Sequence, residues 1–242
     1  MEETRSAETE EIVKKDTIDE IPILQNDQLI QLKVIGSGGF GEVLLCCYRK
    51  EGNQMPAKYV VKKQLLRGGL RTRDYKYLKN EAKILWRLES PFVIKMEGLS
   101  FSNNQFSIVV EYAENGSCAD FFRRLFYDRE NKDLVSALWP LKTRIAYQVI
   151  NGMAYLHGVQ PRRILHLDLK SQNVLLDQDL NVKLCDFGLS QMHTLSVLSR
   201  ASTFTAKDGE NNGGIRGTYS HIAPECFKNP NLKPTVKSDS YR

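Results

Sequence analysis

Residues 164–177 read I-L-H-L-D-L-K-S-Q-N-V-L-L-D, a short polar loop set between two apolar runs. Within it Asp168, Lys170 and Asn173 stand at the offsets D-x-K-x-x-N. These groups suit phosphoryl transfer: a carboxylate to accept a hydroxyl proton, an ammonium to neutralise a migrating phosphate, and an amide oxygen to hold a metal ion. Further on, Asp186-Phe187-Gly188 supplies a second metal-binding carboxylate, followed by a glycine that permits unusual backbone angles. Taken singly, each residue is better read as a polar group of a surface loop. Their combination and order carry the chemical reading.

Together these motifs resemble the eukaryotic protein kinases, and H-L-D-L-K-S-Q-N-V-L-L-D is similar to the tyrosine-kinase-like serine/threonine branch, near the receptor-interacting protein kinases. The resemblance implies an α+β, two-lobed protein kinase fold, with a small antiparallel β-sheet lobe carrying one helix and a larger, mostly helical lobe. It also implies ATP and Mg2+ as cofactors, with Asn173 and Asp186 holding the metal. Serine or threonine hydroxyls of proteins would be the acceptors, as the lysine of D-L-K-S-Q-N and Thr218 suggest.

Composition sets bounds around that reading. A chain of 242 residues, 41% hydrophobic and 26% charged, suits a globular domain of one or two lobes. Its five cysteines form no C-x-x-C pair and no zinc spacing with the four histidines, which fits reduced thiols in a cytoplasmic protein. No apolar run is long enough for a membrane span. Residues 1–20 hold eight acids and three bases, leaving 31 bases against 21 acids in the rest of the chain. The first 20 residues therefore read as an acidic flexible tail. The basic body suits polyanionic ligands, although such an excess is also common on solvated faces.

From residue 21 the chain becomes strand-like and runs into Gly36-Ser37-Gly38-Gly39-Phe40-Gly41-Glu42-Val43, then into a second extended run. A dinucleotide-binding glycine loop would open a helix instead. An ordinary glycine hairpin and a phosphate-covering loop remain the two readings of this pattern. By resemblance, the loop backbone covers the ATP phosphates and Val43 lies on the adenine. In the strand around Lys58-Tyr59-Val60-Val61-Lys62-Lys63, alternation sends one lysine inward and the next to solvent. Lys62 is the inward choice by its match to the family's V-A-I-K, where Val60 replaces the usual alanine. Residues 74–88 read as an amphipathic helix whose apolar face includes Glu81. A carboxylate there costs several kcal/mol unless paired, which favours an ion pair with Lys62 over a partly exposed glutamate.

Residues 111–117 are expected to form a hinge between a small lobe, 21–110, and a large lobe, 118–242. By resemblance, Val110 would be the gatekeeper, the backbone of Glu111 and Ala113 would bind the adenine edge, and Leu175 would lie beneath it. Helices are expected around 118–126 and from Pro140 through Leu156. Leu167 stands where many kinases carry an arginine that receives a phosphate, so that switch is missing. The segment from Phe187 to A-P-E at 223–225 has the composition of a mobile loop, with Ser196, Ser199, Ser202, Thr203 and Thr205 as candidates for phosphorylation. The final K-S-D-S-Y-R resembles the start of a buried central helix, so a C-terminally truncated large lobe is expected. An inactive kinase-like domain acting as a binding or dimerisation module is the alternative function. The basic, tyrosine-containing stretch at 67–77 raises a third reading, nucleic-acid binding, which steep salt dependence would have to support.

Overall fold

The computed structural model describes residues 20–38, 41–49, 57–63, 72–102, 105–126, 137–194, 218–228 and 233–242. Residues 1–19 of the acidic tail, Gly39, Phe40 and the five phosphorylation candidates lie outside these residues. The described residues form two compact units, divided after Tyr112, with residues 90–93 belonging to the second.

The first unit is built on a five-stranded antiparallel sheet. Its strands are β1 (Leu29–Gly38), β2 (Gly41–Tyr48), β3 (Ala57–Lys63), β4 (Met96–Ser102) and β5 (Gln105–Glu111), in the spatial order β1-β2-β3-β5-β4. Helix α1 (Thr72–Trp86) connects β3 to β4 and lies against β4 and β5. Its stripe of Leu78, Ala82, Ile84 and Leu85 is buried, as is Leu88 just past its end. That is the outcome expected of apolar residues recurring at helical spacing. A separate cluster joins Leu24, Leu44, Cys46 and Val109, with Tyr48 and Tyr59 meeting edge to face at 5.4 Å. Residues 21–24 seal onto β4 through Leu99 N–H to the Pro22 carbonyl and Leu24 N–H to the Leu99 carbonyl. Gly98 makes this approach possible: a Cβ there would lie 2.5 Å from the Pro22 oxygen.

The second unit contains α2 (Cys118–Phe126), the long helix α3 (Trp139–Gly158) and two small sheets. One sheet joins β6 (Gly116–Ser117), β8 (Val174–Leu176) and β9 (Val182–Leu184); the other joins β7 (Arg162–Leu165) and β10 (Gln191–Thr194). Short helices α4 (Pro224–Lys228) and α5 (Val236–Ser240) follow. Pro140 lies in the first turn of α3, where its missing N–H costs nothing. Gly152 lets α3 approach β9 closely, with Leu184 and Phe92 filling the space a side chain would need. Two ties hold β9 against its surroundings: Val182 N–H donates to Gln148 Oε1 of α3, and Leu184 N–H donates to the Phe92 carbonyl. β9 pairs in turn with β8, the strand that follows the loop carrying Asp168.

Candidate active site

The loop after β7 begins with His166, whose ring is completely buried against Phe187 at 5.0 Å between centroids. His166 Nε2 meets the Cys185 carbonyl at 3.0 Å, and Ser190 Oγ donates to the His166 carbonyl at 3.0 Å. Burial pushes the His166 pKa below its ordinary value, although Asp239 and the other nearby acceptors act in the opposite direction. Its ring is therefore a neutral strut of the site. Leu167 is also fully buried and adopts a left-handed backbone, φ 64. A branched, non-glycine residue in that region costs roughly 1–2 kcal/mol and needs a fixed partner.

That partner is Asp239, on α5. Its Oδ1 accepts the Leu167 amide at 2.8 Å, and its Oδ2 accepts the His166 amide at 2.8 Å and meets His157 Nε2 at 2.9 Å. Asp239 has no solvent exposure. Burial alone would raise its pKa, but His157 and the two amides outweigh that and hold the carboxyl below its ordinary value. Helix α5 is set in place by a capping box between Thr235 and Ser238. Ser238 Oγ also donates to Glu225 Oε1 at 3.2 Å.

Asp168 follows, 5% exposed, and both of its carboxylate oxygens are engaged. Oδ1 accepts the Thr218 amide at 2.9 Å and the Thr218 hydroxyl at 2.8 Å. Oδ2 accepts Lys170 Nζ at 2.7 Å and Asn173 Nδ2 at 3.0 Å. Lys170 Nζ donates as well to Thr218 Oγ1, at 2.9 Å. Burial works to raise the Asp168 pKa, but Lys170 and Thr218 prevail and hold it below the ordinary carboxylate value. The group is an oriented, ionised carboxylate at neutral pH, the state a proton acceptor requires.

Asn173 closes this cluster from the short turn Ser171–Asn173. Its Nδ2 also donates to the Asp168 carbonyl at 2.8 Å, which turns the amide oxygen Oδ1 away as the acceptor end. Asp186 is exposed and has a left-handed backbone, φ 65 and ψ 69, ahead of the buried Phe187. An amide oxygen and an exposed carboxylate are hard donors of the kind a divalent cation coordinates, so this pair fits the metal that the motifs imply. Leu175 lies in β8, half-buried, directly after the loop.

The other sequence-selected residues lie mainly in the first unit. The hairpin pairs Gly36 with Val43, Ser37 with Glu42 and Gly38 with Gly41, so a strand, not a helix, follows the glycines. Lys62 pairs with Val43 on one side and Ile108 on the other; Val60 pairs with Leu45 and Val110. Glu81 is buried in α1, 4% exposed. The side chains of Lys62 and Val60 are outside the described set, and the Lys62–Glu81 ion pair falls with them. Glu111 ends β5, its Oε1 accepting the Lys95 amide at 2.8 Å, while Ala113 is buried in the second unit.

A profile of the protein kinase domain matches residues 29–241. The chain belongs to the protein kinase family. Among its relatives, this kinase-family chain is 32% identical over 222 residues to human receptor-interacting serine/threonine-protein kinase 1, an alignment covering 90% of the chain and 30% of that protein. With human receptor-interacting serine/threonine-protein kinase 3 it shares 33% identity over 225 residues, covering 91% of the chain and 37% of that protein. With the Bos taurus receptor-interacting serine/threonine-protein kinase 2 it shares 28% over 222 residues, covering 91% and 38%. The chain thus spans about a third of the length of the curated relatives it matches.

Two contributors escaped the reading of the sequence as site residues. Asp239 was legible as part of a K-S-D motif, but not as the acceptor for the His166 and Leu167 amides. His157, at the end of α3, carries no local signal of its contact with Asp239, because 82 residues separate them.

Proposed function

We propose that this chain is the catalytic domain of an ATP-dependent protein serine/threonine kinase acting in intracellular signalling in the cytoplasm. The observation that carries the reading is the convergence of Lys170, Asn173 and Thr218 on the buried, ionised Asp168. Asp168 orients the acceptor hydroxyl and takes its proton; Lys170 neutralises charge on the phosphate in transit. Asn173 and Asp186 would hold Mg2+, which would supply positive charge to neutralise the ATP phosphates. Gly36, Ser37, Gly38, Gly39, Phe40 and Gly41 cover the phosphates, and Lys62, oriented by Glu81, positions them. Val43, Val60 and Leu175 bracket the adenine, while Val110, Glu111 and Ala113 bind its edge. Residues 111–117 act as the hinge, and the substrates are proteins presenting serine or threonine hydroxyls.

The test is Asp168→Asn. Phosphate transfer from labelled ATP to a generic serine/threonine substrate should fall by roughly 10²–10⁴-fold. The rise in unfolding temperature with Mg-ATP should persist, since nucleotide binding does not use this carboxylate. Unchanged turnover would remove Asp168 from its role.

A further inference from the structure

The stretch from Cys185 to Ser190 closes on His166 from both ends. Ahead of Asp186, the Cys185 carbonyl meets His166 Nε2 at 3.0 Å, and the Cys185 amide donates to the Asn173 carbonyl at 3.0 Å. Beyond it, Ser190 Oγ donates to the His166 carbonyl at 3.0 Å. Between the two, the Phe187 ring is fully buried against the His166 ring. Ser190 is itself only 3% exposed, so its hydroxyl serves the interior and not the solvent.

The register explains why a hydroxyl is needed there. The β10–β7 ladder ends with Gln191 opposite Leu165, so Ser190 stands opposite His166, one step past the last pair. The Ser190 amide has turned away to donate to the Phe187 carbonyl at 3.0 Å. The buried His166 carbonyl therefore takes its bond from the side chain instead of the backbone. Asp186 holds a left-handed backbone, φ 65 and ψ 69, inside this arc. Such a conformation at a non-glycine residue persists only where the surroundings over-determine it. Cys185 fixes the entry to the turn, and Ser190 fixes its exit to the same residue, His166. We propose that Ser190 is a positioning residue for the metal carboxylate: by fastening the exit of the turn to His166, its hydroxyl holds Asp186 in register with Asn173 and with Asp168. The proposal rests on the kinase reading of Asp186 and Asn173 as metal donors, and Ser190 acts through Asp186 without touching metal or nucleotide.

The test is Ser190→Ala in the full chain, with two readouts. Without ligand, amide hydrogen exchange at Phe187 and Gly188 should quicken about tenfold, while the amides of β8 and β9 keep their protection. With ADP present, the affinity for Mn2+, followed by electron paramagnetic resonance, should weaken about five- to tenfold, the loss expected of one buried hydrogen bond. The affinity for metal-free ADP should match wild type. Unchanged exchange at Phe187 and Gly188, or equal Mn2+ affinity in the two proteins, would overturn the proposal. So would an equal loss of metal-free ADP affinity, which marks a general loosening. A wild-type chain that takes up no Mn2+ with ADP would overturn the kinase reading itself, whatever the exchange shows.

Discussion

Replacing Asp239 by asparagine keeps the shape of the side chain and removes its charge together with one of its two acceptor oxygens. In the native loop, Oδ2 serves the His166 amide and His157, while Oδ1 serves the Leu167 amide. Asparagine can face its oxygen toward one side only, so its NH2 opposes at least one N–H donor. The smallest loss is one charge-assisted bond, plus the weakening of two others to neutral bonds. At about 1.5–3 kcal/mol for a bond to a charged group, the expected destabilisation is about 3–4 kcal/mol. That is a large share of the roughly 5–15 kcal/mol that holds a domain folded. Leu167 should then relax from φ 64 toward negative φ, carrying Asp168 away from Lys170 and Thr218. Urea unfolding measures the first effect, and hydrogen exchange at the His166 and Leu167 amides measures the second. A loss below about 1 kcal/mol with both amides still protected would refute the argument that Asp239 holds this loop.

Thr218→Val removes the hydroxyl that joins Asp168 to Lys170 but keeps the amide bond to Asp168. Steady-state kinetics should show about a tenfold fall in kcat with little change in KM for ATP, and Thr218→Ser should restore the rate. Because burial depresses the His166 pKa below its ordinary 6.5, the unfolded chain binds more protons than the folded chain once the pH drops below that value. Stability should therefore fall between pH 6.5 and 5, by up to about 1.4 kcal/mol per pH unit, and a urea midpoint that stays flat from pH 7.5 to 5 would contradict it. Asp168 and Asp239, with depressed pKa values, hold their contribution above the ordinary carboxylate value of 3.8 and lose it as pH falls through their folded values, so a second loss should begin in stronger acid. Gly152→Ala places a Cβ 2.7 Å from Cδ1 of the fully buried Leu184 and 3.2 Å from the Phe92 Cβ. It should destabilise by about 1–2 kcal/mol in thermal or urea unfolding, despite alanine's better helix propensity.

Several elements were readable because their signals are local. The alternation of Lys58 to Lys63 marks β3, and Pro140 with Ile145, Met153 and Leu156 marks α3. The stripe that included Glu81 was recovered as a buried helix face. Asp168, Lys170 and Asn173 were legible because they share one short loop, whose turn brings them within hydrogen-bond reach. Thr218 was readable as a specificity marker but not as a double partner of Asp168, since 50 residues separate the two. The departure at Leu167 was visible in the sequence, while its burial and left-handed backbone were not.

What this sequence determined alone is the set of chemical groups, their order and the elements that carry them. Periodicity and turn residues act over a few positions, and the D-x-K-x-x-N spacing lies within a single turn. Tertiary structure decided which oxygen of Asp168 meets which donor, that His166 stays neutral, and that Asp239 holds the loop through two amides. Those outcomes depend on burial and on hydrogen bonds spanning 50 to 82 positions. Only the folded chain creates the low-dielectric surroundings in which such bonds set protonation and backbone geometry.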